Sequence, residues 1–318
     1  MDGLHGGRPL YINPVDNILV GTASWTDKTL IDCGRFYPKD CKSAEARLRY
    51  YATQFPLVEV DSSYYGVPTP VNAQLWAQRT PPGFVFNVKA FRLFTGHQTS
   101  PDVLHKDLRE ALGPNPPKMM YYRDTPAEIR DELWRRFIEA LAPLRANGKL
   151  GAVHFQFAPW LLRNRDGMAH VRHCVERMPG HLLAVEFRNK SWFEGEHLER
   201  TLDFERELGV VHTIVDAPQG FANVVPCVWA VTNPALAIVR LHGRNAATWN
   251  IKGATSASSR FDYWYSREEL AAMAPEIGRM AGLAQHVHVL FNTNYEDQGQ
   301  ESARLMRQVL ASTGSQRT

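Results

Sequence analysis

Ionisable side chains recur at one kind of place in this chain, the end of a short aliphatic run. The clearest run is Leu182–Val185, which stops on Glu186, Phe187 and Arg188, with Trp192 four residues further on. An apolar stretch too short for a helix, closed by an acid and a base, reads as a buried strand delivering charge to its C-terminal end. The pattern occurs eight times. The residues delivered are Thr22 and Ser24; Glu59 and Asp61; Asn87 and Lys89; His154 and Gln156; Glu186 and Arg188; His212 and Asp216; Arg240, His242 and Arg244; Asn292 and Asn294.

These types define the chemistry to look for. Glu59, Glu186 and Asp216 can serve as general bases or as ligands of a divalent metal. Lys89, Arg188, Arg240 and Arg244 suit a phosphate or carboxylate. His242, between Arg240 and Arg244, can move protons near neutral pH. His154, His212 and His288 fall deeper by alternation and read as hydrogen-bonded core histidines. Loop aromatics beside polar groups, among them Trp25, Tyr64, Trp160, Trp192 and Trp249, suit stacking on sugars or bases. The candidate catalytic set is therefore Glu59, Lys89, Glu186, Asp216 and His242. The candidate ligand contacts are Ser24, Trp25, Asp61, Tyr64, Gln156, Arg188, Trp192, Arg240, Arg244, Asn292 and Asn294. No cofactor is assigned. The competing reading is an ion-pair network that only fills space, with every charge satisfied by another.

Several familiar chemistries fit poorly. There is no Gly-x-Ser-x-Gly elbow and no His-Glu-x-x-His. A retaining glycosidase needs two carboxylates about 5 Å apart, and Glu59 and Glu186 come from strands expected to lie too far across a barrel for that. Lys89 can form a Schiff base, but its charged neighbours make an ion pair the simpler expectation.

The elements that must position these residues alternate. Strands are expected at 18–22, 57–61, 84–89, 152–157, 182–186, 210–216, 237–242 and 286–291. Helices are expected between them, for instance from Ser43, from Pro126 to Arg145, and from Ser266 to Met280. Residues 90–126 are expected to cross the mouth as a loop. The stretch 217–236 lacks a helical period, so one crossover helix is expected to be short or missing. Alternation of strand and helix implies parallel βαβ units, and eight of them imply one α/β domain, a (β/α)8 TIM-type barrel, over 18–310 between polar tails at 1–17 and 311–318. Period-two alternation then turns Glu59, Lys89, Gln156, Glu186, Arg240 and His242 inward and Val58, Val88, Phe155, Val185 and Leu241 outward. An open dinucleotide-binding sheet would carry Gly-x-Gly-x-x-Gly after its first strand, and none is present.

Bulk properties agree. At 318 residues and 44% hydrophobic, the chain can bury a large core. A net charge of +3 does not by itself point to nucleic acid. No run approaches the roughly 18 apolar residues of a membrane span, so no membrane association is expected. Cys33, Cys41, Cys174 and Cys227 form no Cys-x-x-Cys pair. With no apolar leader at the N-terminus, they suit a reducing cytoplasm.

The segments Gly21-Thr22-Ala23-Ser24-Trp25, Val58 to Tyr65, Phe155-Gln156-Phe157, Glu186 to Trp192, Arg240 to Arg244 and Phe291 to Asn294 together resemble the YecE-like barrels, domain-of-unknown-function family 72, over about Ile18–Leu310. The resemblance implies a TIM-type barrel and no established activity. It also implies a likeness of shape to endonuclease IV and xylose isomerase-like enzymes, which use metals at the mouth. This chain departs from the endonuclease pattern in carrying few histidines at its strand ends, so a trinuclear zinc site is not expected. The leading reading is an enzyme acting on an anionic, phosphorylated or nucleotide-like ligand at the C-terminal mouth, with hydrolysis as the candidate reaction. The alternatives are a non-catalytic nucleic-acid or nucleotide binding protein and a sugar-acting hydrolase or isomerase.

Overall fold

The computed structural model describes residues 17–221, 223–250 and 260–314. Eight parallel strands close into a barrel in sequence order: β1 (Ile18–Thr22), β2 (Leu57–Val60), β3 (Val85–Lys89), β4 (Leu150–Gln156), β5 (Leu183–Glu186), β6 (Val211–Asp216), β7 (Leu236–Leu241) and β8 (His286–Phe291). The seam is β1 on β8, with Ile18 opposite Val287 and Thr22 opposite Phe291. Gly21 is required where β1 meets β2, because a Cβ there would stand 2.0 Å from the Leu57 carbonyl oxygen.

Alternation sorts the strand side chains as expected. Leu57, Ala152, Ala184, Val211, Leu236, Ile238 and Leu290 form a small aliphatic cluster that packs within the barrel. Val58, Val88, Phe155, Val185 and Leu241 belong to the larger cluster between sheet and helices. Each fully buried branched side chain adds about 1.5–3 kcal/mol, so the floor and the outer shell are settled by apolar burial. That leaves the polar layer above the floor to meet its own desolvation cost.

The helices follow from local signals. Ala127–Ala146 buries Ile129, Leu133, Trp134, Phe137, Leu141 and Leu144 on one stripe and stops at Asn147 and Gly148, the latter at φ +63. Arg267–Ala281 starts in a capping box between Ser266 and Glu269. No helix lies between β6 and β7 among the described residues, as the sequence implied. Helix Gln298–Gly314 carries the barrel past the boundary expected at 310. Residues 1–16 and 315–318 of the expected tails lie outside the described residues.

The segment 90–126 does not cross the mouth. Phe91, Leu93 and Phe94 are buried, and Phe94 stacks on Trp134 with ring centroids 3.6 Å apart. The backbone bonds from Arg92 to Tyr64 and from Ala158 to Thr95 tie the segment to the ends of β2 and β4. Its aromatic Phe94 packs the segment down onto Trp134 and Phe137 of the helix that follows. Among the described residues no helix is long and apolar enough to cross a membrane, and all four cysteines are free thiols.

Candidate functional site

Strands β2, β4, β5 and β7 raise Glu59, His154, Glu186 and Arg240 to one level inside the barrel, and all four are completely buried. Arg240 sits between the acids. Its Nη2 donates to Glu59 Oε1 at 2.6 Å and its Nη1 to Glu186 Oε2 at 2.5 Å. One guanidinium therefore touches both carboxylates, so strand separation is not what disqualifies them as a glycosidase pair. The obstacle is the cation held between them. The same cation fills the position that a metal shared by these acids would take. Among the described residues, no group of three or more His, Cys, Asp or Glu is arranged to hold a metal ion.

Electrostatics fix the protonation states. Burial alone would raise the Glu59 carboxyl, but Arg240 outweighs it and holds the group at about 2. Burial works the same way on Glu186, and Arg240, His242 and Arg188 hold it well below the usual carboxylate range. Burial lowers His242 to about 3, so its ring is neutral. Asn292 Nδ2 stands 2.8 Å from Nδ1, and Nε2 faces both Arg240 Nη1 at 3.4 Å and Glu186 Oε1 at 3.5 Å. Burial and then Arg240 lower His154. Its ring nitrogens approach Glu59 at 3.2 Å and Glu186 at 3.6 Å without hydrogen bonds. Both acids are thus ionised, and both histidines are neutral.

Above this layer the network reaches the rim. Gln156 Oε1 accepts from Arg240 at 3.2 Å. Lys89 pairs with Asp61 at 2.8 Å and stands over the Tyr64 ring, which makes it an ion-pair partner rather than a free amine. Arg188 bridges inside and outside. Its Nη1 donates to Glu186 Oε1 at 2.8 Å, its plane lies 5.3 Å from the Trp249 ring centre, and 11% of its side chain is exposed. Two further arginines stand at the rim. Arg92 lies over Tyr64 and Arg260 over Trp249. Neither forms an ion pair among the described residues. The charge of Arg92 is felt nearby: burial, then Arg92, Lys89 and Arg188, bring His97 down to about 3.

Other candidates lie elsewhere. Asp216 does not join Glu59 and Glu186. Alternation along β6, whose Val211 belongs to the internal cluster, turns Asp216 to the other face. There it accepts three hydrogen bonds from Arg244 and one from Tyr265 at 2.7 Å. Arg244 is thereby taken up, with Glu269 as a second partner. Trp25 and Trp192 are not open to a ligand. Trp25 meets Trp76 and Phe86 edge-on, and Trp192 is fully buried against Phe187 at 3.7 Å. Ser24 closes its own turn on the Thr26 amide. Asn294 reaches Asp27 at 3.4 Å. Of the three histidines assigned to the core, His212 pairs with Glu205 on the outer helix and His288 with Asn87 in the interior, but His154 belongs to the charged layer itself. Sequence reasoning also missed Arg92 and Arg260. Arg92 has a usable signal in its place three residues past Lys89. Arg260 has none, because it stands far from any strand.

A closed eight-stranded parallel barrel, charged within and ringed with arginine at its C-terminal mouth, places the protein among TIM-type barrels. Comparison with known proteins goes one step further. Residues 19–318 match the family described as protein of unknown function DUF72, and the chain belongs to that family. The UPF0759 protein YunF of Bacillus subtilis strain 168 is 30% identical over 295 residues, covering 92% of this chain and 94% of that one. A crystal structure of a DUF72 family protein from Enterococcus faecalis V583 is 28% identical, with TM-score 0.75, over 92% of this chain and 95% of that one. Another, from Thermotoga maritima MSB8, is 26% identical, with TM-score 0.71, over 92% and 99%.

Proposed function

We propose that the mouth binds an anionic ligand bearing a flat ring, phosphorylated or nucleotide-like, and that the protein hydrolyses it. One observation carries this reading. Arg92 and Arg260 have no carboxylate partner among the described residues, yet they flank Arg188 on the aromatic faces of Tyr64 and Trp249. Guanidinium groups gathered at one rim attract anions, and the phosphate fork matches them. A network that only filled space would leave no cation over.

Arg188 is the arm that connects binding with chemistry. An incoming phosphate competes with Glu186 for its guanidinium. As Arg188 turns outward, Glu186 loses one of its cations, and its Oε1 becomes a better proton acceptor. Glu186 then takes a proton from a water at the mouth as that water attacks phosphorus, the P–O bond to the alcohol breaks, and the proton passes from Glu186 to the departing alkoxide, while Glu59 keeps Arg240 in place. Asp61 and Lys89 position the ring through Tyr64. Arg240 and Arg244 are structural cations in this scheme.

Calorimetric titration with inorganic phosphate and with adenosine monophosphate tests it. Both ligands bind, and Arg188→Ala weakens them by about tenfold or more. Absence of binding to the parent chain overturns the reading. Binding without turnover of any phosphate ester leaves the non-catalytic alternative. An affinity for single-stranded nucleic acid that falls steeply with salt assigns it that partner.

A further inference from the structure

Beside the mouth, and outside the charged layer and its rim, a cavity of about 620 Å³ opens between the loops after β3 and β4 and the helix Arg165–Glu176. That size is within the roughly 300–1,000 Å³ of ligand pockets. Its most exposed large apolar side chain is Trp160, at 53%. The ring is held, not loose. Nε1 donates to the Gly96 carbonyl at 3.0 Å, and His97 and Tyr121 meet the indole edge-on at 5.6 and 6.4 Å. The indole's one polar donor is already used, so what it offers a ligand is a flat apolar surface.

The polar groups around that surface include one cation, Arg123, which lies over the Tyr121 ring and pairs with Asp124 at 3.4 Å. His170 Nε2 bonds the Phe94 carbonyl at 2.8 Å, and burial lowers the group, so the ring is neutral and Nδ1 remains an acceptor. Asn164 spends Oδ1 on the Gly167 amide at 2.8 Å, and its Nδ2 donors remain. Asp166 has no ion-pair partner among the described residues. The floor is preformed, since a Cβ at Gly167 would stand 2.0 Å from the Leu162 carbonyl oxygen. The Asp166 carboxylate, the Asn164 amide donors and the His170 acceptor stand around an indole face. They match hydroxyl groups, each of which both donates and accepts, set around the edge of a ring whose C–H face is apolar.

We propose that this cavity is a saccharide subsite. It takes one neutral pyranose ring, stacked on Trp160, with its hydroxyls bound by Asp166, Asn164 and His170. The proposal stands apart from the anionic reading of the mouth, because none of its residues belongs to that site.

The test is saturation-transfer NMR on the full chain with the methyl glycosides of glucose, xylose and N-acetylglucosamine, and with adenosine as a flat-ringed control. At least one glycoside receives saturation at its ring C–H protons. Trp160→Ala abolishes the signal, Trp160→Phe keeps part of it, and Asp166→Asn weakens it by about tenfold. Arg188→Ala leaves it unchanged. The proposal is overturned if no glycoside binds, if adenosine alone binds, or if the glycoside signal survives Trp160→Ala. Thermal midpoints of the variants within a few degrees of the parent show that each is folded.

Discussion

Replacing Arg240 with methionine keeps most of the side chain's volume and removes the cation between Glu59 and Glu186. Both carboxylates are completely buried. Glu59 has no other cation as a direct partner, whereas Glu186 keeps Arg188. The displacement of Glu59 from 4.5 to about 2, at about 1.4 kcal/mol per unit, corresponds to about 3 kcal/mol. Breaking a buried pair typically costs about 3–5 kcal/mol, so a loss of about 4 kcal/mol at pH 7 is expected. The sign with pH is the sharper readout. In the parent, the folded value of Glu59 lies below the unfolded one, so its contribution is present above pH 4.5 and fades as pH falls toward 2. In Arg240→Met, burial acts without the guanidinium and the folded value rises above 4.5. The variant therefore gains relative to the parent as pH falls from 7 through 4.5. Equilibrium urea unfolding at pH 7, 5.5 and 4.5, with the m value checked for constancy, measures this. A loss under 1 kcal/mol at pH 7, or a gap that fails to narrow at pH 4.5, would refute the ionised network.

Glu186→Gln releases Arg188 to the mouth. It should cost about 2–4 kcal/mol in urea unfolding, tighten inorganic phosphate several-fold by calorimetry, and abolish any hydrolysis. Unchanged phosphate affinity with the same loss of stability would make Glu186 a strut only. The rings of His97, His242 and His288, each lowered to about 3 by burial, should show no titration in imidazole NMR between pH 5 and 8. Because the unfolded rings charge near 6.5, these residues contribute stability that is complete above that pH and declines as pH falls below it. Gly21→Ala drives a Cβ into the Leu57 carbonyl and should cost about 3 kcal/mol or more, read as a lowered thermal midpoint. A midpoint equal to the parent's would mean that β1 can shift without penalty.

The strands were legible because each is an aliphatic run closed by a polar residue, and β1 and β8 fall on the residues expected. Parity was legible too, and it separates Asp216 from the two glutamates. Counting by twos from the apolar Val211 turns 212, 214 and 216 to the other face, a signal obscured by grouping residues only by their place at a strand end. The partnership of His154 with the acids was not legible. Alternation gives its face, but its height depends on the stagger between strands, seen in the opposition of Lys89 to His154 and of Gln156 to Glu186. Trp192 was misread for a different reason. It lies on a short turn after β5, not on the strand, and nothing in its spacing tells that it folds back onto Phe187. The pairing of each arginine with one acid rather than another is a property of three dimensions alone.

Arg240 also bears on how the barrel can be assembled. It lies on β7 and closes on Glu59 from β2 and Glu186 from β5, so its partners come from both halves of the chain. A fragment ending after β4 would have to bury Glu59 without the guanidinium that contacts it directly. A fragment beginning at β5 would hold a guanidinium with one of its two acids missing. Neither half is electrically complete, and each gains its missing charge only by docking with the other. The charged layer thus makes closure of the barrel a single cooperative event, and it opposes the stable half-barrel intermediates that a purely aliphatic interior would permit.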